Sequence, residues 1–135
     1  MKFKIQDGIF DSFPELQIGI VVAKGINNTG ESAEIVALLR DQEKEIRTKF
    51  TPETISEEPR IEAWRKAYSS FGAKPKKYRC SVENLYRMIL QGTDLRHINT
   101  VVDIYNYISI KHLVPVGGDD LDHVEGDIAL TVAKG

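Results

Sequence analysis

The stretch that most constrains the fold is residues 98–122, which read INTVVDIYNYISIKHLVPVGGDDLD. Asn99 is a favourable N-cap, and the apolar residues that follow it have helical spacing. They lie on almost every side of the helix: Val101, Val102, Ile104, Tyr105, Tyr107, Ile108 and Ile110. A helix that is apolar nearly all round is usually buried on several sides. The pattern therefore predicts that a helix over residues 99–111 is the most buried element of the chain.

One narrow seam of this helix is polar. Asn99, Asp103 and Asn106 lie at positions i, i+4 and i+7 and therefore share one face. A buried carboxylate or amide left unpaired costs roughly 1–3 kcal/mol, and the turn at residues 115–118 offers backbone N–H groups as partners. Two interpretations follow. Either Asp103 and Asn106 only fix this turn, or the seam and the turn form the floor of a small pocket.

Length and composition favour one globular domain over residues 1–135. The chain has 41% hydrophobic and 28% charged residues, which is typical of a soluble protein. No apolar run approaches the roughly 20 residues of a membrane helix, and the first residues do not have the composition of a signal peptide. We therefore expect a cytoplasmic location and no membrane partner. The single cysteine, Cys80, excludes an internal disulfide and is expected to pack in the core.

The order of the predicted elements favours an α+β fold with a mixed sheet packed against helices. Strands are predicted over residues 2–5, 16–23 and 126–133, and helices over residues 31–50, 59–71, 81–91 and 99–111. Residues 16–23 are apolar at nearly every position, which is typical of a strand covered on both faces. Ser81 is predicted to cap its helix. The last strand is expected to leave an open sheet edge, which could recruit a second copy of the chain.

Metal and cofactor motifs are not found. Acidic residues crowd one region and could supply oxygen ligands, but their spacing does not fit a calcium-binding loop. These residues are Asp119, Asp120, Asp122, Glu125 and Asp127. The sequence has no GxGxxG, Walker or GxSxG motif, and its three histidines show no HExxH pairing. We therefore expect no metal and no cofactor.

A short loop concentrates positive charge in a chain whose net charge is −2. Four cations surround an aromatic residue there: Lys74, Lys76, Lys77, Tyr78 and Arg79. Such a loop could grip phosphate groups and stack a base. It could equally be an ordinary solvated loop, and the residues alone do not separate these two interpretations.

Three ordered motifs together resemble a known family. They are AWRKAYSSFG at residues 63–72, KPKKYRCSVENLYRMILQG at residues 74–92 and the long run at residues 98–128. The chain resembles free-standing B3/B4 domain proteins, which are similar to the editing domain of the phenylalanyl-tRNA synthetase beta subunit. The resemblance implies an α+β editing-domain fold and a tRNA-associated function. It also implies that the chain lacks the C-terminal part of the family fold, which leaves three alternatives: an N-terminal fragment, a compact variant, or a chain whose sheet another subunit completes.

The resemblance also places the pocket. In the synthetase domain, a Thr-Asn pair on the corresponding helix and a histidine after a proline line the editing site. Here the matching positions are Tyr105 and Asn106, then Pro115 and Gly117, with Gly118 next in the turn. The asparagine and the proline are kept, whereas the threonine and the histidine are not. The implied pocket is therefore smaller and less polar.

Two functions are consistent with these observations. The first is a binding module for tRNA or the aminoacyl end of a tRNA. The second is a trans-acting hydrolase that clears mischarged tRNA, with water held by backbone groups and the terminal ribose. A purely structural oligomerisation unit is a third possibility. Because the full site of the synthetase is not conserved, we favour the binding module.

Overall fold

The computed structural model describes residues 1–133, which contain five α-helices and one two-stranded sheet. Their bounds are β1 Phe3–Ile5, α1 Asp7–Ser12, α2 Ala33–Lys49, α3 Pro59–Ser70, α4 Ser81–Leu90, α5 Thr100–His112 and β2 Ile128–Leu130. The predicted α+β class is confirmed. Residue contacts divide the chain into two compact units. One contains residues 27–117, and the other, the unit of the terminal segments, contains residues 1–26 together with the chain from residue 118 onward. The expectation of a single domain over residues 1–135 stays a prediction, and its last two residues lie outside the described range.

The core of the unit at residues 27–117 lies among α2, α3, α4 and α5. Its fully or nearly fully buried side chains are Leu39, Ile46, Ile55, Ile61, Cys80, Val82, Tyr86, Ile89, Leu95 and Ile110. Local sequence sets where these helices begin. Oδ1 of Asn99 accepts the Val102 N–H of α5 at 2.9 Å, and the Glu58 carboxylate accepts two N–H groups of the first turn of α3. These side chains satisfy donors that a helix start leaves unpaired.

Two glycines end α3 and α4 in the same way. Gly72 and Gly92 have φ of 87° and 88°, in the left-handed region that favours glycine. The N–H of Gly72 donates to Ser69, and that of the next residue donates to Tyr68. The corresponding pair of bonds follows Gly92, so both ends are Schellman motifs. The predicted bounds of these two helices, residues 59–71 and 81–91, therefore agree with the structure to within one residue.

The predicted cap of α4 is wrong by one residue. Cys80, with extended backbone angles, is the N-cap, and Ser81 is the first residue of the helix. The Asn84 N–H donates to the carbonyl of Cys80, which places the first helical bond there. No side chain caps this end, because the Cys80 thiol is packed in the core instead. Burial of the side chain at the N-cap position has overridden the local preference for a hydroxyl cap.

The prediction that α5 is the most buried helix is also wrong. Ile104 and Ile108 are 42% and 39% exposed, and of the hydrophobic residues of α5 only Ile110 is buried. The helix packs against α2 and α4, so one side is covered. By contrast, the shorter α4 buries Val82, Tyr86 and Ile89. An all-round apolar pattern does not by itself place neighbours on every side of a helix.

The C-terminus of α5 is held by side chains from other elements. The Tyr86 hydroxyl donates to the Ile110 carbonyl at 2.7 Å, and the Arg60 guanidinium donates to the carbonyl of His112. Both carbonyls lie in the last turn, where a helix leaves its acceptors unpaired. Leu113 follows with φ of 53°, the left-handed conformation usually taken by glycine, and its side chain packs against the core. The helix end is therefore fixed by tertiary contacts.

A buried carboxylate joins α2 to the segment before α5. Glu43 is fully buried, accepts the Leu95 N–H at 2.7 Å and lies 2.5 Å from the Arg40 guanidinium. Burial raises the pKa of the Glu43 carboxyl, while the Leu95 N–H and Arg40 act against that rise. These bonds fix the start of the segment that leads to α5.

In the unit of the terminal segments, β1 and β2 pair in parallel, with Phe3 opposite Ile128. The prediction of a strand at residues 16–23 is wrong, because no strand forms there and Val21 is 93% exposed. A strand requires a partner for its backbone ladder. Among the described residues the sheet has only these two strands, so neither a partner for residues 16–23 nor a mixed sheet is found.

Candidate functional site

The basic loop, residues 74–79, connects α3 and α4 and is ordered by its own backbone. The N–H groups of Lys77 and Tyr78 both donate to the carbonyl of Lys74, at 2.9 and 2.8 Å. The five predicted RNA-binding residues are all exposed: Lys74, Lys76, Lys77, Tyr78 and Arg79. The Lys77 ammonium lies 5.0 Å from the centre of the Tyr78 ring. The loop therefore presents four cations and one aromatic face on a short, defined turn.

A buried carboxylate lies behind this loop. Glu83 of α4 is fully buried, and its Oε1 lies 2.8 Å from Arg65 Nη1 and 2.9 Å from Arg87 Nε. Nε of Arg79 is 3.7 Å from the same oxygen. Within residues 1–133, Oε2 has no hydrogen-bond partner. Three cations face one carboxylate, so the group keeps an excess of positive charge.

The sequence analysis did not predict this cluster. The i, i+4 spacing of Arg79, Glu83 and Arg87 is a signal that could have found two of the partners. Arg65 belongs to another helix, and no local pattern connects it to Glu83. The packing of α3 and α4 brings them together.

A shallow cleft of about 520 Å³ runs beside the basic loop. Its lining residues are Glu62, Arg65, Lys66, Ser69, Ser70 and Pro75. Five of them lie on α3, whereas Pro75 belongs to the basic loop, so the cleft and the loop form one continuous surface. Lys66 Nζ lies 2.9 Å from the Glu62 carboxylate, and the Ser69 hydroxyl donates to the Arg65 carbonyl.

The polar seam of α5 has a partner that the sequence did not indicate. Asp103 is buried, and its Oδ2 lies 2.6 Å from Nδ1 of His97. The expectation that Asp103 pairs with the turn at residues 115–118 is therefore wrong. The Ser109 hydroxyl instead donates to the Val114 carbonyl at 2.7 Å and holds the chain just before that turn. In the tautomer of His97 in which Nδ1 donates to Asp103, Nε2 has the free lone pair.

A ligand-binding role for the other predicted pocket residues stays a prediction. Tyr105, Asn106 and Pro115 are half-buried and Gly117 is exposed, whereas Gly118 belongs to the unit of the terminal segments. A second cleft, of about 160 Å³, lies between α2 and the end of α5 and is lined by other residues, among them Lys49 and Lys111.

Other chemistry is limited in the described part of the chain. Cys80 is buried, and burial raises the pKa of its thiol, which disfavours the reactive thiolate. Between residues 1 and 133, no three histidine, cysteine or acidic side chains are grouped so that they could hold a metal ion. Over the same range, no helix has both the length and the apolar character needed to cross a membrane.

These features define an α+β protein with an ordered basic loop backed by an arginine-rich cluster. The family model of the B3/4 domain matches residues 63–135, from α3 through β2. Because the match covers more than half of the chain, the protein belongs to the B3/4 domain family. The resemblance to B3/B4 domain proteins is thus confirmed. No curated protein and no solved structure matches the chain.

Proposed function

We propose that this B3/4 domain binds RNA, specifically tRNA or aminoacyl-tRNA, through the basic loop. The observation that carries the proposal is the separation of charge. Residues 60–79 contain seven of the 18 Lys and Arg residues but only one of the 20 acidic residues, in a chain of net charge −2. Phosphate neutralisation dominates the affinity of nucleic-acid binding, and the exposed Tyr78 ring offers a stacking face for an unpaired base.

The choice of tRNA among RNAs is supported by the resemblance to the synthetase editing domain. That resemblance includes the basic loop and α5, and from it we infer that the aminoacyl end lies against Asn106 and Gly117. Gly117 is exposed, and a Cβ added there would meet no atom within 4 Å, so a ligand could reach this stretch of backbone. In this proposal, the loop binds the phosphate backbone and the turn faces the amino acid.

The first experiment measures the affinity for an unmodified phenylalanine tRNA transcript across a salt series. Lys74, Lys76 and Lys77 are changed together to Ala, which leaves the Arg79–Glu83 contact intact. Each lost phosphate contact should reduce the slope of log K against log salt by roughly 0.7–0.9, so the triple variant should lose about 2.1–2.7 units of slope. A companion variant adds Arg79→Ala. Unchanged affinity and slope in both variants would refute RNA binding by the loop.

A second experiment addresses the aminoacyl end. Gly117→Val fills the space in front of the turn, and its φ is not in the left-handed region, so the fold should tolerate it. We expect Gly117→Val and Asn106→Ala to remove any preference for aminoacylated over uncharged tRNA, with the affinity for uncharged tRNA retained. Gly19→Val is the control, because a Cβ there also meets no atom within 4 Å. If both pocket variants keep the parent's preference for aminoacylated tRNA, the aminoacyl end does not bind against Asn106 and Gly117.

A second candidate function is hydrolysis of a mischarged tRNA, and the His97–Asp103 pair favours it. Water would attack the ester carbonyl as Nε2 of His97 accepts its proton. The protonated His97 then returns that proton to the ribose oxygen as the ester C–O bond breaks, which releases the free amino acid and uncharged tRNA. A deacylation screen over misacylated tRNAs separates the two functions. If the protein deacylates a misacylated tRNA, and His97→Gln lowers that rate at least 100-fold without weakening tRNA binding, hydrolysis is supported. If no substrate is turned over, the binding module remains.

A further inference from the structure

We propose that the cleft along α3 is a second phosphate-binding subsite, in which Arg65 and Lys66 contact the RNA backbone beside the basic loop. This inference rests on the proposed RNA-binding function and extends its contact surface by one helix face. Pro75 forms one wall of the cleft, and its neighbours Lys74 and Lys76 belong to the basic loop. A phosphate backbone that follows the loop would therefore pass directly over the cleft.

Arg65 is already held in position for such a contact. One guanidinium nitrogen, Nη1, lies 2.8 Å from the buried Glu83, and within the described residues its Nε and Nη2 make no hydrogen bond. A planar guanidinium matches two phosphate oxygens at once. Because Glu83 fixes one edge of the side chain, little rotamer entropy remains to be lost when the other edge binds.

The charges around the cleft favour an anion. Glu83 faces Arg65, Arg79 and Arg87, so one carboxylate offsets only part of three cations. Glu62 also lines the cleft, but Lys66 neutralises it at 2.9 Å. The hydroxyls of Ser69 and Ser70 now donate to carbonyls of their own helix. Hydroxyl groups can rotate to donate to a phosphate oxygen instead.

Two substitutions test the subsite, each with a matched control. Arg65→Lys keeps a positive charge against Glu83 but removes the planar fork. Arg87→Lys is its control, because Arg87 also contacts Glu83, at 2.9 Å, with nearly the same exposure, yet does not line the cleft. Lys66→Gln removes an exposed cation paired on its own helix. Lys44→Gln is the control, since that lysine is equally exposed and is paired with Asp41.

The readout is the affinity and salt slope for the same phenylalanine tRNA transcript. We expect Arg65→Lys and Lys66→Gln to weaken binding three- to tenfold, with a reduction in slope of about 0.7–0.9 for Lys66→Gln. Both control variants should bind like the parent. Urea unfolding of all four variants shows whether any loss comes from instability.

The outcomes separate this inference from the proposed function. If the triple loop variant loses affinity while Arg65→Lys and Lys66→Gln bind like their controls, the subsite is refuted and RNA binding by the loop stands. If none of these variants, including the triple loop variant, changes the affinity, both proposals fail. Binding to phosphatidylserine vesicles that exceeds tRNA binding, and that the same variants abolish, would replace RNA with a membrane surface and overturn the inference.

Discussion

Substitution of Tyr86 by Phe isolates the contribution of one buried hydrogen bond to the unit at residues 27–117. The Tyr86 hydroxyl donates to the Ile110 carbonyl at 2.7 Å, and both residues are buried. The ring would keep its edge-on contact with Phe50, 5.4 Å between centroids. Only the bond is lost, and the carbonyl is left without a partner at the end of α5. An unpaired buried group costs about 1–3 kcal/mol.

We therefore expect the free energy of unfolding to fall by about 1–2 kcal/mol. With a urea dependence of about 2 kcal/mol/M, the midpoint should fall by roughly 0.5–1 M. Fluorescence of Trp64, the only tryptophan, reports unfolding of the unit in which it packs against the core. Tyr107→Phe is the matched control, because the Tyr107 hydroxyl only accepts a bond from the exposed Lys111. Equal midpoints in the two variants would refute the reasoning.

The same hydroxyl predicts a dependence on alkaline pH. Burial raises the pKa of Tyr86 well above its ordinary range. The folded state therefore retains a proton that the unfolded chain releases above about pH 10. The contribution of Tyr86 to stability is fully present below that pH and is lost as the pH rises through the pKa of the folded state. The loss of stability at alkaline pH should therefore be smaller in Tyr86→Phe. If the free energy of unfolding depends on alkaline pH identically in parent and variant, this assignment to Tyr86 is wrong.

Four further predictions follow from other contacts. Glu83→Ala should lower the free energy of unfolding by about 3 kcal/mol, because three partly exposed arginines lose their carboxylate; a urea series measures it. The raised pKa of Glu43 destabilises the fold as pH rises, so the stability of Glu43→Gln relative to the parent should grow from pH 4 to 7. Cys80 should react with a thiol reagent only after unfolding, because its thiol is buried. If the open edge of β2 recruits a second copy, sedimentation should show association that rises with concentration.

Local sequence determined most of the helical framework. The Asn99 cap of α5 and the glycine stops of α3 and α4 at Gly72 and Gly92 were all predictable. These features are predictable because they are local: a cap or a stop depends on residues within about five positions of one another. The exposure of the basic loop, residues 74–79, also follows from its composition, because four cations in six residues are costly to bury.

Tertiary structure decided which polar groups meet. Asp103 pairs with His97 rather than with the turn at residues 115–118, and Glu83 gathers Arg65 from a different helix. Likewise, residues 16–23 have the composition of a strand but form none, because a strand exists only where a neighbour completes its hydrogen bonds. The sequence supplied the apolar faces and the charges. Packing between elements, which no local period encodes, added the partners that come from elsewhere: Arg65 for Glu83 and His97 for Asp103.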